Sequence, residues 1–171
     1  SLRFDLQEMD NQKQIEALLN KDIDIGFVRV ERVPQPLITK PILEETFSLV
    51  LPLDHHITSN NFKNLNQLRH EPFILFEPSY SISYYEKVMQ LFDESGFTPT
   101  TSHNSVNAST IYRLVENKFG ISIVPTSLQL GYDMGVKFIE LKESKQRTTL
   151  RAVWNKENRN PILKSILNVI E

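Results

Sequence analysis

The chain contains no cysteine among its 171 residues, which excludes disulfide bonds and thiolate catalysis. It also lacks any apolar run near the ~20 residues that a membrane-spanning helix needs, so we expect no membrane partner. Glycine and proline are scarce, at 5 and 9 residues, which is unlike the composition of disordered or fibrous chains. These absences predict an ordinary globular protein in a reducing compartment, which we take to be the cytoplasm.

Basic residues are not in excess either. There are 19 Lys and Arg against 21 Asp and Glu, for a net charge of -2, and the basic residues are scattered along the chain. A nucleic-acid surface usually needs a basic patch that displaces counterions, so this chain alone is not expected to bind DNA.

The opening Ser1–Leu2–Arg3 forms neither a signal peptide nor a translation start, so we expect a part of a longer protein.

The first residues predict a strand, a helix and a second strand. Residues 2–6 alternate with period two, Ile15 and Leu18 fall at helical spacing, and residues 23–28 have the apolar pattern of a buried strand. Lys21 is expected to close the helix. This order is typical of the βαβ unit of a parallel sheet.

Further along, strands and helices again alternate. Ser83 and Glu86 have the spacing of a capping box, which predicts a helix that begins near Ser83. The Thr- and Ser-rich stretch 98–105 is interpreted as a connection. The other predicted elements are strands at 72–76, 121–124, 136–141 and 150–154, short helices at 65–69 and 126–130, and helices at 107–117 and from Pro161 after an Asn160 cap.

The long extended run from Pro41 to Pro52 is interrupted by Glu44, Glu45 and Thr46. Charged residues inside an apolar extended stretch suggest that the chain leaves one core and enters another. We therefore expect a lobe boundary near Glu45.

Several short motifs, in their order and spacing, resemble the effector-binding domain of LysR-type transcriptional regulators. The resemblance covers nearly the whole chain and rests on residues 22–27, 45–52, 65–68, 72–74, 92–99, 114–115 and 120–125. It implies an α/β, periplasmic-binding-protein-like fold, in which two Rossmann-like lobes are joined by two crossing strands and hold an effector in their cleft. Residues 1–45 and 141–171 would form lobe I, and residues 46–140 lobe II.

The resemblance also implies what lies outside the chain. The family's winged helix-turn-helix domain and the first strand and helix of its effector domain are expected upstream, so lobe I is incomplete here. DNA would be bound only through that absent domain, and family members often form homo-oligomers, here a dimer or tetramer. Where the family commonly has glycine, this chain has Lys118; a left-handed backbone there would strain Lys118 unless Asn117 takes that conformation.

Candidate effector contacts follow from the rule that ligands of open α/β lobes collect beyond the carboxyl ends of strands. For Asn11 and for residues 79–84, the resemblance also implies effector contacts at these positions. Each has a plain alternative: an exposed surface arginine for Arg29, and helix capping for most of the others. Arg29 would suit an acidic effector, because a guanidinium pairs with a carboxylate in bidentate fashion. The candidates are Asn11, Arg29, Ser79, Ser81, Ser83, Tyr84, Ser105, Asn107 and Thr126.

Catalytic and metal-binding patterns are missing. No pair among the four histidines has the helical spacing of zinc ligands, and no G-x-S-x-G elbow occurs. We therefore expect no metal, no cofactor and no enzymatic activity. The first hypothesis is the sensor domain of a transcription factor that binds a small-molecule effector, with an anion as one option; the alternative is the solute-binding protein of a transporter.

Overall fold

A computed structural model of the chain describes residues 3–131 and 135–170. Twelve helices and strands are assigned within them, together with three short 3-10 helices at Leu65–Leu68, Pro78–Tyr80 and Thr126–Gln129. In chain order they are α1 Asn11–Asn20, β1 Gly26–Val28, β2 Leu37–Glu45, β3 Phe47–Pro52, β4 Pro72–Phe76, α2 Ile82–Glu94, β5 Thr100–Ser105, α3 Ala108–Glu116, β6 Ile121–Pro125, β7 Val136–Glu140, β8 Thr148–Asn155 and α4 Pro161–Val169.

The described chain divides into two compact units. Unit 1 contains the residues up to Leu43 and from Leu150 onward, and unit 2 contains Glu44–Thr149. Strands β2 and β8 each pass from one unit to the other along the chain. The lobe limits expected from the sequence, at residues 45 and 140, stay a prediction, because a compact unit and a functional lobe need not share their limits.

Unit 1 is built on a three-stranded sheet in the order β1-β8-β2. Its small core is formed by α1 and the three strands, through Ile15, Leu18, Val28, Leu37 and Val153. The apolar positions of α1 are spaced three residues apart, which turns Ile15 and Leu18 toward the sheet.

The predicted strand at residues 2–6 is wrong for the residues that the structure describes. Residues 3–10 carry no regular secondary structure, and Leu6 is 89% exposed. The expected parallel pairing is also wrong, since β1 pairs antiparallel with β8 through Gly26 and Val153. Alternation alone does not make a strand, because a strand also needs a neighbour that takes up its backbone hydrogen bonds.

Unit 2 contains a five-stranded sheet in the order β5-β4-β6-β3-β7. Strands β5, β4 and β6 are parallel, whereas β3 runs antiparallel to both β6 and β7. Helix α3 packs on β3, β4 and β6, and α2 adds Tyr84, Val88, Leu91 and Phe92 to the core. Phe92 meets Phe73 edge to face at 4.7 Å, which is a favourable aromatic geometry.

The stretch interpreted as a connection at 98–105 contains strand β5 at Thr100–Ser105. Its first five side chains are exposed, so the sequence has no buried alternation that would reveal a strand. The strand forms because its backbone pairs with β4 from Pro72 to Phe76. Polar side chains on such an edge also discourage pairing with other chains.

The predicted capping box at Ser83 and Glu86 is likewise wrong. Ser81 is the N-cap of α2, and its hydroxyl accepts a hydrogen bond from the backbone N–H of Tyr84 at 3.2 Å. This start puts Tyr84 in the core between Phe47 and Phe76, with ring centroids 5.7 and 5.6 Å away. Burial of a large ring thus decides where the helix begins.

In the turn after α3, the left-handed backbone conformation is adopted by Lys118 and not by Asn117. Lys118 has φ of 63° and lies in the left-handed region, whereas Asn117 has φ of -86°.

Within residues 3–131 and 135–170, no helix combines the length and apolar character needed to cross a membrane.

Candidate functional site

The carboxyl ends of the parallel strands of unit 2 meet at one edge of its sheet. Strands β4, β5 and β6 end there at Phe76, Ser105 and Pro125. Because β3 runs the other way, it begins at the same edge with Phe47, and β7 ends there with Glu140. The topology therefore gathers segments that are far apart in sequence, at the edge where ligands of α/β sheets usually bind.

Thr126 follows β6 at this edge and joins a chain of hydroxyl groups. Its Oγ1 lies 2.8 Å from Thr46 Oγ1 and 2.8 Å from Ser48 Oγ. Thr46 Oγ1 in turn donates a hydrogen bond to Glu140 Oε1 at 2.7 Å. The backbone N–H of Thr126 also donates to the carbonyl of Thr46 at 3.1 Å, so the two threonines are held together by backbone and side chain.

Glu45 anchors the 3-10 helix Thr126–Gln129 that carries Thr126. Its side chain accepts two hydrogen bonds from Ser127, one from the hydroxyl at 2.9 Å and one from the backbone N–H. Glu45 is only 9% exposed. Hydrogen bonds to a buried carboxylate are charge-assisted, so this contact holds the helix firmly against the start of β3.

Four of the candidate residues lie in the loop between β4 and α2 or in the first turn of α2. Ser79 is exposed in the 3-10 helix Pro78–Tyr80, and Ser81 is the buried N-cap of α2. Ser83 lies half-buried in the first turn of α2, with its hydroxyl 3.3 Å from that of Ser81. Tyr84 is 3% exposed and donates its hydroxyl to the carbonyl of Ile123 at 3.2 Å, which makes it a core residue of unit 2.

Asn107 caps the next helix, as the plain alternative proposed, and Ser105 bonds to the backbone of Asn107. Asn107 is the N-cap of α3, and its Oδ1 accepts from the backbone N–H of Ser109 at 2.8 Å. The hydroxyl of Ser105 accepts from the backbone N–H of Asn107 at 3.2 Å. Both side chains are half-buried at the carboxyl edge, where a capping residue retains capacity for further hydrogen bonds.

In unit 1, the structure brings together the two remaining candidates. The side-chain Oδ1 of Asn11 accepts a hydrogen bond from the backbone N–H of Arg29 at 3.3 Å. Asp10, not Asn11, is the N-cap of α1, with Oδ1 accepting from Lys13 N at 2.8 Å. The interpretation of Arg29 as an exposed surface residue is wrong, since it is 7% exposed.

The residues that sequence reasoning missed are Thr46, Ser48 and Glu140, which share one network with Thr126. A signal existed for two of them. Thr46 and Ser48 alternate with the apolar Phe47 and Leu49, which predicts two hydroxyls on the same side of the extended chain at the start of β3. Glu140 has no comparable local signal, because only the β3–β7 register places it opposite Ser48.

The histidines do not form a metal site in the described part of the chain, where no suitable cluster of ligands occurs. His55 and His56 stack with ring centroids 4.6 Å apart. His55 Nδ1 accepts from the backbone N–H of Ile57 at 3.1 Å, and Nε2 lies 3.4 Å from Glu71 Oε1. Burial lowers the pKa of His55 below its ordinary value, although the hydrogen bond with Glu71 opposes the shift.

Sequence comparisons identify the relatives of this chain. The family model of the LysR substrate binding domain matches residues 1–171. The HTH-type transcriptional regulator CatR of Pseudomonas putida is 31% identical over 170 residues, which are 99% of this chain and 58% of that protein. An uncharacterized HTH-type transcriptional regulator of Escherichia coli, YnfL, is 27% identical over 152 residues, covering 89% of this chain and 51% of the relative. The chain thus spans between half and three-fifths of these relatives.

Solved structures agree with this assignment. CbnR, a LysR family transcriptional regulator, superposes with a TM-score of 0.83 at 23% identity, over 97% of this chain and 57% of that one. The BenM effector binding domain with its effector benzoate gives 0.78 at 24% identity, over 98% and 77%. These likenesses confirm the predicted α/β, periplasmic-binding-protein-like fold. Because the family model matches the full length of the sequence, this chain belongs to the LysR substrate-binding domain family.

Proposed function

We propose that this chain is the small-molecule effector-sensing domain of a LysR-type transcriptional regulator. Its family membership supports this, and so do relatives that are transcriptional regulators, such as CatR. The transporter alternative is not favoured, because no transport protein appears among the named relatives. In the proposal, DNA is bound by a domain outside this chain, in a homo-oligomeric regulator in the cytoplasm, and this domain performs no catalysis.

The observation that carries the proposal is the pairing of Asn11 with Arg29 in unit 1. Asn11 at the start of α1 and Arg29 directly after β1 are both buried, and Asn11 Oδ1 accepts a hydrogen bond from the backbone N–H of Arg29 at 3.3 Å. A guanidinium has five N–H donors and can hold several acceptors at once. The first turn of α1 adds the positive end of a helix dipole. This combination suits an anionic group of the effector, as in the benzoate that BenM binds.

Unit 2 supplies the second set of proposed effector contacts, all at the carboxyl edge of its sheet. They are Ser79, Ser81, Ser83, Tyr84, Ser105, Asn107 and Thr126. Two of these side chains, Ser81 and Asn107, already cap helices, so the proposal requires a capping hydroxyl or amide to accept a further bond. In the proposed mechanism, an effector changes the regulator by binding one of its conformations more tightly than another. The change can be no larger than that difference in affinity.

Binding measurements on the intact regulator test this function. Benzoate and other small carboxylates would be screened by thermal shift and calorimetry, and the hits compared between the wild type and Arg29→Ala. Losing a charge-assisted contact is expected to weaken an anionic ligand by about tenfold or more. Arg32→Ala is the matched control, because Arg32 is an exposed arginine three residues away. Equal affinity of wild type and Arg29→Ala would remove Arg29 from the site.

A further inference from the structure

We infer that Thr126 contacts the effector only as a hydrogen-bond acceptor, so the effector carries a donor at that point: a hydroxyl, an amide N–H or an ammonium group. The inference rests on the proposed function, which assigns Thr126 to the effector site. It comes from counting the hydrogens of the three hydroxyl groups that join Ser48, Thr126, Thr46 and Glu140.

The Glu140 carboxylate, at one end of this network of hydroxyl groups, sets the direction of the hydrogen bonds in the network. Glu140 Oε1 is an acceptor, so Thr46, 2.7 Å away, must donate to it. A hydroxyl has one hydrogen, and that of Thr46 is then used. In the 2.8 Å contact between Thr46 and Thr126, the hydrogen must therefore come from Thr126.

The hydroxyl of Ser48 lies at the other end of this network and must donate its hydrogen. Because the hydrogen of Thr126 points at Thr46, the 2.8 Å contact between Thr126 and Ser48 must be a donation by Ser48. Burial supports this direction independently. Ser48 is 0% exposed, and the reverse arrangement would leave its hydroxyl hydrogen buried without an acceptor. The direction runs from Ser48 through Thr126 and Thr46 to Glu140.

With these directions, one lone pair of Thr126 Oγ1 is left for a ligand. Its oxygen has two lone pairs, of which Ser48 takes one, and its hydrogen is taken by Thr46. The side chain is half-buried, so the second lone pair can accept a bond from outside the network. A ligand acceptor placed there would leave two oxygens facing each other without a hydrogen, or would break the contact with Thr46. We expect such a ligand to bind on the order of tenfold more weakly than a matched donor.

The hydrogen positions are tested directly by neutron diffraction from deuterium-exchanged crystals of the intact regulator. The expected deuteron of Thr126 lies on the line to Thr46 Oγ1, and that of Thr46 on the line to Glu140. A Thr126 deuteron that points toward Ser48 or away from the network would overturn the inference, whatever the regulator binds.

The ligand preference is tested with para-substituted benzoates that differ at one group. The donors are 4-hydroxybenzoate and 4-aminobenzoate, and 4-methoxybenzoate offers only an acceptor. Wild type is expected to prefer the donors by about tenfold. Thr46→Val frees the hydrogen of Thr126 without a change of charge. The ratio of affinities between the donor ligands and 4-methoxybenzoate should therefore fall toward one. Thr101→Val, on the exposed edge strand β5, should retain it.

The outcomes separate this inference from the proposed function. A donor preference that persists unchanged in Thr46→Val, or a wild-type preference for the methoxy compound, would overturn the inference while effector binding stands. Failure of every small carboxylate to bind the intact regulator would count against the proposed function instead. Thermal unfolding of each variant identifies any loss that comes from misfolding, since the preference is a ratio between ligands on the same protein.

Discussion

Replacing Lys118 by glycine is expected to leave unit 2 more stable than replacing it by alanine. Lys118 ends the turn after α3 with φ of 63°, a backbone region in which the β-carbon of an ordinary residue crowds the following carbonyl. Glycine has no β-carbon and adopts this conformation at no steric cost. The strain is local, and the side chain is exposed, so no core packing changes with the substitution.

The magnitude is best taken from a comparison with Lys118→Ala. Both variants lose the ion pair between Lys118 Nζ and Asp54 Oδ2, 2.5 Å apart at the surface, so their difference isolates the backbone. Left-handed backbone costs a residue with a β-carbon roughly 1–2 kcal/mol, and part of that is offset by the greater freedom of glycine in the unfolded chain. We expect the glycine variant to be more stable than the alanine variant by about 1 kcal/mol.

Urea denaturation followed by circular dichroism measures the difference at a fixed pH and salt concentration. A difference of about 1 kcal/mol should also appear as roughly 2–4 °C in melting temperature for a chain of this size. Equal stability of the glycine and alanine variants would refute the reasoning, because it would mean that Lys118 carries no backbone strain.

Two further predictions concern polar side chains of unit 2, the buried Ser122 and the half-buried His55. Ser122 Oγ is buried without a hydrogen-bond partner, so Ser122→Ala should leave the free energy of unfolding unchanged or raise it by up to about 1 kcal/mol; a clear loss in urea denaturation would show that the hydroxyl is satisfied. Burial lowers the pKa of His55 below its ordinary value of 6.5, and the charges of His56 and Lys137 act in the same direction. Since the unfolded chain then binds the proton more readily, stability present above pH 6.5 should fall as the pH decreases below that value. His55→Gln should lose this component of the pH dependence, and an unchanged pH profile of unfolding would contradict it.

Elements with strong local signals were predicted well from the sequence. Strand β4 has its predicted limits, Pro72–Phe76, and α4 begins at Pro161 after the expected Asn160 cap. Lys21 closes α1 in the left-handed conformation, where its backbone N–H bonds to the carbonyl of Leu18. In each case the determining interactions join residues within a few positions of one another, so a single sequence contains them.

Elements that depend on distant partners were predicted poorly. Residues 98–105 looked like a connection because β5 has polar, exposed side chains, and only its pairing with β4 makes it a strand. Residues 3–6 alternate as a strand should, yet no described strand pairs with them. Ser83 had the better capping pattern, but the burial of Tyr84 placed the cap at Ser81.

The order and spacing of short motifs were sufficient to recognise the family, and through that resemblance the fold class. The choice of Asn11, Arg29 and Thr126 as effector contacts stays a prediction. The partners of Thr126 were decided only by the tertiary structure. Thr46 immediately precedes β3, Ser48 lies in β3 and Glu140 ends β7, and the antiparallel pairing of β3 with β6 and with β7 brings them to the end of β6. A hydroxyl can donate or accept, so its role depends on which neighbours surround it, and the hydroxyls of Thr46 and Ser48 lie 80 and 78 residues away from Thr126 along the chain.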